Sequence, residues 1–219
     1  MSETSKISPS ALWIRRWLVL VGLMVYAMIL IGGATRLTDS GLSITEWNPV
    51  SGALPPLSSA AWEVEFAKYR ETAEYQLVNQ GMSMAEFRKI FWWEWGHRFF
   101  GRMIGLVAVL GAVVFAVRGW LSRRLGWHLA ALIGLGGLQG AIGWWMVASG
   151  IGETTRVDVA PYRLMTHFTL ALLIIAYVTW LWLDLGEKAR PGVARSVRTA
   201  SLVLLGAIFV QMAAGALVA

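Results

Sequence analysis

Apolar runs long enough to cross a bilayer alternate with short basic loops along the chain, and one long polar stretch interrupts the series after the first run. Residues 17–34, 91–117, 127–148, 162–183 and 200–219 each read as a helix. About 20 apolar residues cover a hydrocarbon core of about 30 Å. The first run exceeds the roughly 7–15 apolar residues of a secretory signal, and no small-x-small cleavage site follows it, so it reads as a retained span. Gly32 and Gly33 lead from it into the turn-forming segment RLTDSG. The fourth run follows Pro161, which suits a helix start. Residues 37–90 form a long outer segment with Asn48-Pro49 and Pro55-Pro56, and loops of that size are functional or partly folded. Within it, residues 60–79 have helical composition, and Trp62, Phe66 and Tyr69 follow the i, i+4, i+7 spacing. That helix either lies on the membrane surface or covers the second span.

Composition sharpens this picture. Hydrophobic residues make up 57% of the chain and charged ones 15%, against about 25% charged in a soluble domain. The 13 Trp gather at the ends of the apolar runs, as in aromatic belts. Without Cys, disulfides, iron–sulfur clusters and thiolate metal sites are excluded. The net charge of +6 does not point to nucleic acid, because the basic residues fall in short loops. The tail with Arg15 and Arg16, the loop with Arg118, Arg123 and Arg124, and the loop with Lys188, Arg190, Arg195 and Arg198 lie inside by the positive-inside rule. The N-terminus is then cytoplasmic and residues 37–90 face outward. The fold class expected is all-α: a polytopic four-helix bundle over residues 1–198, and a fifth helix, 199–219, that begins a second, truncated bundle. A partial match between QMAAGALVA (211–219) and QGAIGWWMVA (139–148) supports that second bundle.

Candidate chemistry centres on FWWEWGHRFFGR, residues 91–102. Glu94 and His97 are three apart and share a helix face. His97 and His167 each lie six residues into an outward-opening run, about 9 Å deep. Their helices stand diagonally in an up-down-up-down bundle, so the two imidazoles meet across the core. Such a pair can hold haem iron from both faces. It can also take a smaller metal, although no carboxylate or thiolate set completes a tetrahedral site. Arg36, Arg98, Arg102 and Arg163 lie near the same interface, where they either pair with haem propionates or snorkel to water. The plain alternative for 91–102 is an interfacial helix start. His128, at the inner end of its span, reads as an interface residue, and Gln139 and Gln211 as interhelical hydrogen-bonding groups. On these residues a cytochrome b-like electron carrier and a noncatalytic haem-delivery or assembly protein are open readings.

The segments GGATRLTDSGLSITEWNPVSGALPP, EFRKIFWWEWGHRFFGR, GLQGAIGWWMVASG and YRLMTHFTLAL resemble those of the haem A synthase family, in its cysteine-less proteobacterial and mitochondrial branch. The resemblance implies a bacterial inner-membrane enzyme of eight helices in two similar halves, each with a histidine pair. It places His97 and His167 as the pair holding substrate haem O, and Glu94 as the acidic residue of the chemistry. It implies two successive hydroxylations of one ring methyl and loss of water, giving the formyl group of haem A for cytochrome oxidase. It also implies a haem b electron carrier in the other half, haem O synthase and oxidase assembly factors as partners, and a homo-oligomer.

The expected sidedness is directly testable, since the chain has no native Cys. A cysteine placed at Ser58 is expected to react with a membrane-impermeant maleimide in intact spheroplasts. Labelling only after lysis would reverse the topology.

Overall fold

The computed structural model describes residues 8–152, 154–186 and 192–218. Of the residues singled out above, Lys188, Arg190 and Ala219 lie outside that range. The described chain is all helical: α1 (Pro9–Leu37), α2 (Ser59–Arg70), α3 (Ala73–Leu77), α4 (Met84–Val117), α5 (Arg123–Val147), α6 (Pro161–Asp184) and α7 (Arg195–Val218), with one 3-10 turn at Ser51–Ala53. Five of these, α1 and α4 to α7, are long and apolar enough to span a membrane. The chain is a multi-pass membrane protein.

Helix ends depart from the apolar boundaries in ways the local chemistry explains. α4 starts at Met84 rather than at 91, because Ser83 and Glu86 form a capping box. Ser83 Oγ accepts from the Glu86 amide, while Glu86 Oε2 accepts from the Ser83 amide at 2.8 Å. The first turns of α4 therefore stand above the apolar run. α1 starts at Pro9 behind the Ser8 cap, and it continues through Gly32 and Gly33 to Leu37 instead of leaving the helix there. The Thr35 and Thr38 hydroxyls donate to the carbonyls of Ile31 and Ala34, both at 2.9 Å. α7 starts at Arg195, ahead of its apolar run.

The helices pack as a ring in which α1 meets α4 and α6, and α5 meets the same two. α4 and α6 are thereby diagonal, as an antiparallel four-helix bundle requires. Leu18, Val21 and Val25 of α1 pack in the centre with Leu129 and Leu132 of α5 and with Ile174, Val178 and Leu181 of α6. The Trp17 indole N–H donates to the Val107 carbonyl at 3.0 Å, and its ring fills the space where Gly111 lacks a Cβ. α7 lies outside the ring against α6, with most of its surface exposed.

Outside the bundle, the long segment folds into a cap. Trp62, Phe66 and Tyr69 are the buried face of α2, and they pack on Phe87 and Phe91 in the protruding turns of α4. Phe66 and Phe87 stack at 4.8 Å. α2 covers the start of α4, one of the two compatible placements the sequence leaves open. Beneath it lies Glu74 of α3, only 5% exposed, with Oε2 unpartnered. Burial pushes its carboxyl from 4.5 up to about 8, aided by the negative charges of Glu94, Asp158 and Asp39 and opposed by a hydrogen bond with Tyr69.

A carboxyl whose folded value lies above its unfolded one favours folding fully below the unfolded value, and that contribution is lost as pH rises through the folded value. The cap is accordingly expected to weaken between about pH 4.5 and pH 8 and to level off above that, and Glu74→Gln to flatten that dependence. Thermal unfolding midpoints across this range are the measurement, and parallel curves for wild type and Glu74→Gln would contradict the assignment.

Candidate functional site

His97 projects from α4 and His167 from α6, the diagonal pair of the ring. Each imidazole rests against a glycine on a neighbouring helix. A Cβ at Gly32 of α1 would lie 3.3 Å from His97 Nε2, and one at Gly143 of α5 would lie 2.8 Å from His167 Cε1. Both glycines sit roughly one turn inside the C-terminal ends of their helices, so the two histidines lie at a similar distance from the same end of the bundle. That level does not come from counting into α4, whose start lies well above the apolar run. Gln139, one turn before Gly143 on α5, places Nε2 3.2 Å from His167 Nδ1, 3.3 Å from its Nε2 and 3.1 Å from its carbonyl oxygen. His128 lies elsewhere, with Nδ1 2.8 Å from the Tyr177 hydroxyl and its ring edge-on to Trp180.

Among the described residues no group of three or more His, Cys, Asp or Glu side chains is arranged to hold a metal ion. The donor set is two imidazoles on opposed helices, each backed by a wall without a Cβ. That set fits a flat macrocycle ligated on both faces better than a tetrahedral ion.

Glu94 occupies the junction between α4 and the cap and is 2% exposed. Four donors surround it. Oε2 accepts from Ser43 Oγ and the Ile44 amide, both at 2.7 Å, and Oε1 accepts from Arg98 Nε at 3.0 Å and from Arg98 Nη2. The strap that runs from the end of α1 toward α2 is thereby tied to α4. Arg98 also donates to the carbonyls of Glu46 (2.9 Å) and Ile44 (2.8 Å), and Arg102 to those of Pro49 (2.9 Å) and Asn48 (2.7 Å). Trp47 stacks on Trp144 of α5 at 6.1 Å. Arg36 pairs with Asp39 and Asp158, each at 3.2 Å. Arg163 donates to the Trp145 carbonyl at 2.6 Å and lies over its ring.

Glu94 and His97 lie on the same stretch of α4, while Arg36, Arg98 and Arg102 contact the strap and the α5–α6 loop and Arg163 contacts Trp145 of α5. Between strap, α2 and α4 lies a cavity of about 420 Å³ whose lining includes Trp95, Arg102, Glu46 and Glu65. Lys68 bridges Glu65 (2.9 Å) and Glu46 (3.1 Å). Hydrogen bonds from Lys68 and Asn48 hold Glu46 below its ordinary carboxylate value. Sequence reasoning did not single out Ser43, the Ile44 amide, or Gly32 and Gly143 as histidine seats. Only Gln139 carried a signal, as a polar group inside an apolar span.

An all-helical membrane bundle with opposed imidazoles under a folded outer cap defines the class. The chain belongs to the cytochrome oxidase assembly protein family, which matches over residues 15–219. It is 71% identical to a protein named haem A synthase from Hyphomonas neptunium, over 98% of this chain and 62% of that one. It is 52% identical to proteins of the same name from Caulobacter vibrioides, over 93% of this chain and 59% of the relative, and from Bradyrhizobium diazoefficiens, over 94% and 57%. These matches bear out the family read from the motifs. The chain spans about three-fifths of the length of these curated relatives. No solved structure matches it.

Removing one member of a buried ion pair costs roughly 3–5 kcal/mol, because the other is left uncompensated. Arg98→Leu is therefore expected to lower the unfolding midpoint clearly and to expose the strap to protease. Ser43→Ala, which deletes one neutral donor, should cost about 1–3 kcal/mol. Unchanged stability and proteolysis in both variants would show that the strap is held by other contacts.

Proposed function

We propose that this chain forms the haem O-binding half of a haem A synthase, a membrane oxidoreductase that converts a ring methyl of haem O to a formyl group. The observation that carries this reading is the seating of His97 and His167 on diagonal helices at a similar distance from the same end of the bundle, each against a glycine. The names of the relatives support the same reading. When bound, haem O supplies the iron that takes both imidazoles and the methyl carbon that is oxidised. His97 and His167 fix the plane of the macrocycle. Glu94, one turn before His97, is assigned proton transfer beside the reacting edge, since a carboxylate at that position both accepts and returns a proton. The cap and strap keep bulk water from the outer edge of the site. Arg36, Arg98, Arg102 and Arg163 are assigned to the propionates, although Arg98 and Arg102 also hold strap carbonyls and Arg36 and Arg98 are paired with Asp39, Asp158 and Glu94.

The remainder of the proposal follows the family. α7 opens a second bundle with its own histidine pair and haem b, the membrane is the bacterial inner membrane, and the cap is periplasmic. Haem O synthase, cytochrome oxidase assembly factors and further copies of the chain are the proposed partners. A cytochrome b-like carrier, or a haem-delivery protein, would use the same histidine pair but would not need Glu94.

His97→Ala and His167→Ala are each expected to abolish the low-spin bis-histidine spectrum of the purified, haem-loaded protein, and His128→Ala to preserve it. In a chain of the relatives' full length, Glu94→Gln should retain haem O while haem A, quantified by mass after extraction, falls at least tenfold. Equal haem A from wild type and Glu94→Gln at matched protein levels would remove Glu94 from the chemistry and favour the carrier.

A further inference from the structure

We infer that Gln139 and Gly143 of α5 form a positioning device for His167, which makes the two histidines of the pair inequivalent as ligands. The inference rests on the reading that the pair holds haem. Gln139 and Gly143 are four residues apart and lie on one face of α5. Gly143 leaves the imidazole room to approach the α5 backbone, since a Cβ there would stand 2.8 Å from Cε1 and 3.3 Å from Nδ1 of His167. Above that floor sits the Gln139 amide, with Nε2 3.1 Å from the His167 carbonyl oxygen, 3.2 Å from Nδ1 and 3.3 Å from Nε2 of the ring. Its other end, Oε1, is buried without a partner.

An imidazole that gives one ring nitrogen to a metal carries its proton on the other, and that buried N–H needs an acceptor. Oε1 of Gln139 is an acceptor lacking a donor, on an amide already at the ring. Turning the side chain to bring Oε1 to the ring gives up the Nε2 bond to the His167 carbonyl and takes one from the ring N–H in exchange. The ligand-bound His167 then donates from Nδ1 to Gln139 Oε1. This leaves Nε2 to the iron, locks the ring plane and makes the ligating nitrogen more electron-rich. His97 has a glycine seat on α1, where a Cβ at Gly32 would be 3.3 Å away. Among the described residues no hydrogen bond to its ring is found, so only His167 is tuned in this way.

The test uses purified protein loaded with ferric protoporphyrin IX, read by low-temperature EPR and by redox titration. Gln139→Leu keeps the bulk but removes the acceptor, and is expected to retain low-spin haem with shifted g-values and a higher midpoint potential. Gln139→Glu, which restores an acceptor of the same length and is a stronger one, should move the potential back to or below wild type. Gly143→Ala should weaken haem binding at least tenfold by pushing His167 off its seat, whereas Gly32→Ala should have the smaller effect. The inference is overturned if the low-spin spectrum depends on His167 but both Gln139 variants leave spectrum and potential unchanged. A wild-type spectrum that His167→Ala leaves intact is a different result, and it overturns the haem-pair reading together with this inference.

Discussion

A carboxylate buried at the edge of a membrane must collect a donor for each face of its charge, and the non-helical backbone beside it must collect donors for its carbonyls. Glu94 and the two arginines that follow it on α4 meet both requirements together. The carboxylate takes the Ser43 hydroxyl, the Ile44 amide and two guanidinium bonds. Arg98 and Arg102 return donors to four carbonyls along the strap, at Ile44, Glu46, Asn48 and Pro49. Without this exchange the strap keeps only the packing of Ile44 on the aromatic cluster of Phe87 and Phe91 to hold it against α4. Its contacts onward to Trp144 and Gly150 of the neighbouring helix and loop would then weaken. The residue assigned to chemistry is therefore also the residue that closes the site from the outside, and the two roles have to be separated by measurement at matched stability.

Within the bundle, the site is built from what is missing as much as from what is present. Gly32 and Gly143 each remove a methyl group from the path of an imidazole, and the histidines lie close against helices that do not carry them. The likeness of the two seats suits a ligand bound from both faces. The Gln139 amide makes one seat polar and leaves the other apolar.

Much of this architecture is legible in the residue pattern because the membrane imposes it. The five spans, the diagonal placement of the histidine helices and the aromatic face of α2 follow from run length, loop length and helical spacing. Failures occurred where a local rule lost to packing. Gly32 and Gly33 resemble a helix exit because glycine costs about 1 kcal/mol in a helix, yet α1 continues through them and His97 fills the space that Gly32 leaves. The start of α4 was set by hydropathy at 91, although the Ser83 and Glu86 box marks it. The carbonyl partners of Arg98 and Arg102 lie more than fifty positions away in the chain and follow only from the strap's path. Glu74 gave no sign of burial, because nothing in the segment AEYQL distinguishes a covered carboxyl from a solvated one.

α4 carries the cap's aromatic anchor at Phe87 and Phe91, the strap anchor at Glu94 and the ligand at His97 on one uninterrupted helix of 34 residues, about 51 Å long. These features are locked in angular phase. A single residue inserted between Phe91 and Glu94 would turn the cap by about 100° relative to the imidazole, and a deletion would turn it the other way. Only insertions near a whole number of turns would leave cap and ligand facing their present neighbours. Insertions and deletions are thus expected to be absorbed in the strap and the interhelical loops, while the ten residues between the capping box and His97 act as a fixed gauge.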